Sequence, residues 1–116
     1  LKHALDLCDQ MGGGIGVAVD VYHCWWDPEL ESQIKRAGRK RLLAFHICDW
    51  LLETKDLLLD RGMMGDGVID IALIRNWMER EGFEGLKEVE IFSQENWWKR
   101  DPDEVVSICI ERSAVC

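Results

Sequence analysis

Three apolar runs each end in residues that can do chemistry. "VAVDVYHCWWDP", Val17 to Pro28, carries Asp20 and His23 at the end of its run. "LLAFHICDW", Leu42 to Trp50, ends in His46 and Asp49, and "LKEVEIFS", Leu86 to Ser93, holds Glu88 and Glu90. Carboxylates and imidazoles accept, donate and ligate. A mixed set of carboxylate oxygens and one imidazole suits Mn²⁺, Mg²⁺, Co²⁺ or Zn²⁺, and the donor types alone do not choose among them. No thiolate joins the set, which argues against a structural zinc site. A carboxylate facing inward from an apolar run costs on the order of several kcal/mol unless it is paired or coordinated. Asp20 and Glu90 therefore need a partner, and a cation is a natural one.

The elements that must position these residues follow from the pattern around them. Leu1, Leu5 and Cys8 recur at helical spacing, and the "GGG" after Met11 ends that helix. Val17 to Tyr22 is nearly all apolar, as in a parallel strand covered on both faces. Asp27-Pro28 starts a second helix that Gly38 stops. Leu42 to Trp50 is the next strand, followed by a long glycine-containing connection over 51–69. Loops of that length in a compact domain are functional or disordered. Asp70 caps a helix closed by Gly82, and in the strand Leu86 to Ser93 Glu88, Glu90 and Phe92 share one face. Asp101-Pro102-Asp103-Glu104 opens a last helix through Val115. The order α-β-α-β-α-β-α implies α/β architecture with parallel strands. In such folds the carboxyl ends of the strands face the ligand crevice, so the three chemical endings should converge.

The composition narrows the function. A chain of 116 residues supports one modest core, and a formal net charge of -8 with no basic block repels a nucleic-acid backbone. No segment approaches the roughly 20 apolar residues of a membrane span, so neither nucleic acid nor a membrane is an expected partner. The five cysteines form no C-x-x-C pair and read as reduced thiols, which fits a cytoplasmic location.

"DVYH", "FHICDW", "LLLDRGMMGDGVID" and "VEIF", in that order, resemble the second half of the xylose-isomerase-like TIM barrels of the sugar-phosphate isomerase/epimerase family. The resemblance covers essentially the whole chain as a partial (β/α)8 barrel, about strands six to eight with their helices. It implies metal ligation by Asp20, His46 and Glu90, substrate contacts from His23 and Arg61, and proton transfer by Glu90. The implied cofactor is a divalent metal ion, with Mn²⁺ first and Mg²⁺, Co²⁺ or Zn²⁺ as the others. It further implies a glutamate ligand from a fifth strand that precedes Leu1. A TIM barrel takes about 250 residues, so residues 1–116 are expected to be a single C-terminal fragment, inactive alone. Cys48 stands where some members carry glutamine, which puts their particular substrate contact in doubt.

The implied activity is isomerisation or epimerisation of a sugar or sugar phosphate through an enediolate. Alternatives are dehydration of an inosose-type keto-polyol, and a truncated binding or structural fragment without catalysis. A nuclease of the AP-endonuclease type shares the fold but would want a basic face. Glu88 is the competing ligand to Glu90, one layer deeper on the same face. Trp25 and Trp26, like Trp97 and Trp98, fit either a pocket wall or packing under a helix. Asp49 either orients a ligand or begins the loop. "GGGIG" is no dinucleotide loop, since it follows a helix and precedes a strand. His3 is expected at the surface, and a homo-oligomer is possible without being indicated.

Overall fold

The computed structural model describes residues 1–116. Three strands, β1 (Val17–Asp20), β2 (Leu42–Ile47) and β3 (Lys87–Val89), form one parallel sheet in the order β1-β2-β3. Helices α1 (Lys2–Met11), α2 (Val21–Cys24), α3 (Leu30–Arg41), α4 (Ile71–Arg80) and α5 (Pro102–Ser113) surround it, with a 3₁₀ turn at Trp97–Lys99. Parallel strands need long crossovers, and α3 and α4 supply them. None of these helices is long and apolar enough to cross a membrane.

The core lies between the sheet and the helices. Val17 and Val19 of β1 and Phe45 and Ile47 of β2 pack with Leu30, Ile34 and Ala37 of α3 and with Ile71, Ile74 and Met78 of α4. Leu5 and Cys8 of α1 close the other end. Each large side chain buried this way contributes about 1.5–3 kcal/mol. The β3 side is thinner: all three residues of β3 are exposed, and α5 buries none.

Several boundaries differ from the sequence pattern, each for a local reason. β1 stops at Asp20 instead of Tyr22, because the Asp20 carboxylate accepts from the Tyr22 backbone N–H at 2.9 Å and caps α2. α3 starts at Leu30 because Asp27 first holds a turn, accepting from the Glu29 N–H at 2.9 Å. Gly38 adopts φ 55° and kinks α3 instead of ending it. β3 contracts to three residues. The Glu90 N–H still donates to the Ile47 carbonyl at 3.0 Å, but Phe92 O instead accepts from Arg61 N at 2.9 Å.

Register sets the site. Asp20 on β1 lies beside His46 on β2, and His46 lies beside Glu88 on β3. Glu90 sits one pleat further along, on the same face of the chain as Glu88.

Candidate functional site

Asp20 is positioned by its own capping bond. With Oδ1 committed to the Tyr22 N–H, Oδ2 is directed to the site, 3.1 Å from Arg61 Nη1 and 3.6 Å from His23 Nε2. Glu90, just past β3, brings Oε2 to 2.9 Å from the same Arg61 Nη1 and 3.8 Å from His46 Nδ1. The ligand atoms of Asp20, His46 and Glu90 all lie within 4.8 Å of one another, and all three side chains are half-buried. A single divalent ion holds oxygen and nitrogen ligands about 2.0–2.2 Å away, so donors around it stand up to about 4.4 Å apart. The 4.8 Å limit of this set lies close to that spacing. Glu88 stands on the far side of His46, its Oε2 4.0 Å from Nε2, and is not in the cluster.

Arg61 is the hub of the site. Its side chain is 2% exposed, and its guanidinium lies 4.5 Å from the Tyr22 ring centroid and 4.8 Å from that of Phe92. Nη1 donates to Asp20 and Glu90 and lies 3.8 Å from Cys48 Sγ. Nη2 lies 3.2 Å from His23 Nε2. A guanidinium only donates, so this contact makes Nε2 the acceptor and puts the imidazole proton on Nδ1. Burial opposes the charge on Arg61, but Asp20 and Cys48 outweigh it and raise the pKa above its ordinary value.

This arrangement revises one inference from the sequence. The cation that pairs Asp20 with Glu90 is present in the chain as Arg61, so their burial alone does not demand a metal. Two carboxylates against one guanidinium nevertheless leave negative charge beside the His46 imidazole, and that donor set fits a divalent ion.

The remaining expectations distribute as follows. His23 is exposed apart from its Arg61 contact, its side chain 66% accessible. Trp25 packs toward Trp50, which stacks on Tyr22 at 4.8 Å, while Trp26 is exposed. Trp97 is buried in the core, and Trp98 is exposed with its indole N–H on the Ile91 carbonyl at 2.9 Å. His3 is exposed. Burial pushes the Cys48 thiol up to about 12 against the opposing pull of Arg61. Tyr22 and Phe92 were not singled out as site residues. Phe92 shares the face of Glu90 two residues on, so the alternation of β3 was the available signal. Tyr22 had none, because it belongs to a helical turn that reads as strand. Asp49 touches no candidate ligand: it is fully buried among backbone N–H groups of the following loop.

Three parallel strands whose carboxyl ends gather an acid, a histidine and a glutamate have the local plan of a (β/α)8 barrel. A family model described as xylose isomerase-like TIM barrel matches residues 1–107. The chain belongs to that family. Within the xylose isomerase-like family, the crystal structure of protein SMc04130 from Sinorhizobium meliloti 1021 is 61% identical, with a TM-score of 0.96. That match covers 99% of this chain and 42% of the other. The crystal structure of the IolI protein with a bound zinc atom is 22% identical with a TM-score of 0.82, covering 98% of this chain and 42% of that one. At that identity the IolI likeness shows the fold. The chain thus spans under half the length of both solved relatives, and its sheet is part of a TIM barrel. A search of curated protein sequences finds no match.

Proposed function

We propose that this chain contributes the metal- and substrate-holding strands of a divalent-metal-dependent isomerase or epimerase acting on a sugar or sugar phosphate. The observation that carries this reading is the gathering of Asp20, His46 and Glu90 donor atoms within 4.8 Å beside a buried arginine. Membership of a family named for a sugar isomerase supports it.

Asp20, His46 and Glu90 would hold the ion, and a bound divalent ion supplies Lewis acidity toward adjacent carbonyl and hydroxyl oxygens of the substrate. The chain's own residues do the rest. Glu90 takes the proton from the carbon next to the carbonyl at Oε1, the oxygen left without a hydrogen bond, while Oε2 stays on Arg61. Arg61 holds Glu90 and Asp20 in one geometry, and its fork would turn to a substrate hydroxyl or phosphate oxygen only as the two carboxylates pass to a bound ion. His23 offers its exposed ring to a second substrate oxygen. A second carboxylate for the opposite face comes, in this reading, from another strand of the barrel, since the chain spans 42% of each solved relative. Mn²⁺ remains the first choice of ion; the zinc of IolI belongs to that protein. A cytoplasmic location accords with the five free thiols.

The test uses the full-length protein, metal-loaded, with a panel of ketoses and ketose phosphates in D₂O. The wild type should incorporate solvent deuterium at the carbon next to the carbonyl, and Glu90→Gln should lower that rate at least about 100-fold. Retained exchange in E90Q ends the assignment of Glu90 as base. Loss of water from the substrate would instead make the enzyme a keto-polyol dehydratase.

A further inference from the structure

Asp49 carries the largest set of bonds to one buried carboxylate in the molecule. Its side chain is fully buried, and Oδ1 accepts from the N–H groups of Trp50 at 2.9 Å and Ile69 at 3.0 Å. Oδ2 accepts from Gly65 and Gly67, both at 2.9 Å. All four bonds come from backbone N–H groups, so both oxygens act as acceptors. The backbone of Asp49 also exchanges both hydrogen bonds with Gly62, each at 2.9 Å. On the other side of Arg61 its own N–H donates to Phe92 O at 2.9 Å, and Asp60 bridges Ser93. Arg61 is thus clamped between Asp49, two residues past β2, and Phe92 and Ser93 past β3.

The glycines of this loop fit the same plan. A Cβ on Gly67 would stand 2.1 Å from the Trp50 carbonyl and 2.5 Å from Asp49 Oδ1, and Gly65 adopts φ +89°. Only glycine lets these two N–H groups reach the carboxylate.

We propose that Asp49 is a positioning residue for Arg61: its carboxylate folds residues 62–69 around itself and thereby fixes the guanidinium against Asp20, Glu90 and His23. It touches none of the proposed ligands and acts only through the loop. Its consequence for turnover rests on the reading of the site given above; its consequence for Arg61 does not.

The experiment therefore has two arms, both in the full-length protein. In the first, ¹⁵N NMR follows the guanidinium signals of Arg61, with exposed Arg39 and Arg80 as controls. Asp49→Asn keeps the size of the side chain but sets an NH₂ against N–H groups. The Arg61 signals should shift and exchange faster while those of Arg39 and Arg80 stay in place. Unchanged Arg61 signals in a folded D49N protein overturn the proposal. Should D49N not fold, Asp49→Ser, which retains one acceptor oxygen in less volume, carries the same measurement. In the second arm, kcat/KM is compared for wild type, D49N, Arg61→Met and the double variant. D49N should cost on the order of 10-fold in the wild type and less than threefold in the R61M background. Equal costs in both backgrounds overturn it. A wild type that turns over no carbohydrate defeats the functional reading, while the first arm still decides the link between Asp49 and Arg61.

Discussion

Residues 51–60 and 61–69 belong to one connection between β2 and α4, yet the first part lies on the surface while the second buries Arg61 to Met64 and Ile69. Leu52, Leu57 and Leu58 are 85%, 71% and 58% exposed, whereas Arg61 is 2% exposed and Met63 and Met64 are 0% exposed. Hydropathy predicts the reverse for Arg61 and the leucines. Backbone hydrogen bonding accounts for the difference. The Arg61 N–H donates to the Phe92 carbonyl, the Gly62 N–H to the Asp49 carbonyl, and the N–H groups of Gly65, Gly67 and Ile69 to the Asp49 carboxylate, so this segment keeps long-range partners as it enters the core. Residues 51–60 make mostly local turns: Asp56 accepts from Leu58 and Leu59, and the Thr54 hydroxyl donates to the Leu51 carbonyl. Long-range partners on Asp49 and Phe92, and not apolar content, distinguish the buried part of the connection.

The sharpest way to break this contrast is at Arg61. Arg61→Met leaves Asp20 and Glu90 facing each other without their shared partner, and should cost about 4 kcal/mol in urea denaturation. Lys55→Ala, an exposed cation of the first half, should change stability by less than about 0.5 kcal/mol. Equal effects would remove Arg61 as the hub. Next in size, Met63→Ala should cost about 3 kcal/mol through the cavity it leaves. Leu57→Ala and Leu58→Ala should stay within about 0.5 kcal/mol, and a large loss at either leucine would show it buried.

Two pH effects extend the comparison. Cys24 and Cys48 have thiols pushed up to about 12, chiefly by burial. A folded-state pKa raised above the unfolded value stabilises the fold below the unfolded value, near 9, and that contribution is lost as pH rises toward 12. Stability should therefore fall above about pH 9, at most about 1.4 kcal/mol per pH unit for each thiol, and less steeply in Cys48→Ser. Parallel pH profiles for C48S and wild type would contradict this. The smallest effect belongs to Asp56, whose pKa is lowered by the N–H groups of Leu59 and Leu58. Its depressed pKa makes a contribution present above the unfolded value of about 3.9 and lost as pH falls through the folded one. Amide exchange at Leu58 and Leu59 should quicken in that acid range while Gly65, Gly67 and Ile69 keep their protection. Simultaneous loss in both parts would show the connection to open as one unit.

Most of the architecture was legible because periodicity reports burial. The stretches read as strands at 17–22, 42–50 and 86–93 contain the parallel strands Val17–Asp20, Leu42–Ile47 and Lys87–Val89, and Asp70 and Asp101 cap their helices as their positions predicted. The residues brought together, Asp20, His46, Glu90, Arg61 and His23, were all named from strand endings and motif resemblance. The boundaries read less well. Asp20 looks like a strand residue until its carboxylate is seen to cap α2. Glu88 and Glu90 share a face, and strand alternation could not tell them apart.

By itself, then, the amino-acid sequence determined the α/β order, the three strand endings and the family, because side-chain pattern and residue type are local properties. The tertiary structure decided what lies beyond local reach. It turned Arg61 inward against two carboxylates, set Glu90 rather than Glu88 near Asp20, and made Asp49 the anchor of the loop between them. The reason is physical: a buried charge is tolerated only where partners from other segments meet it, and which segments meet is set by strand register and loop path.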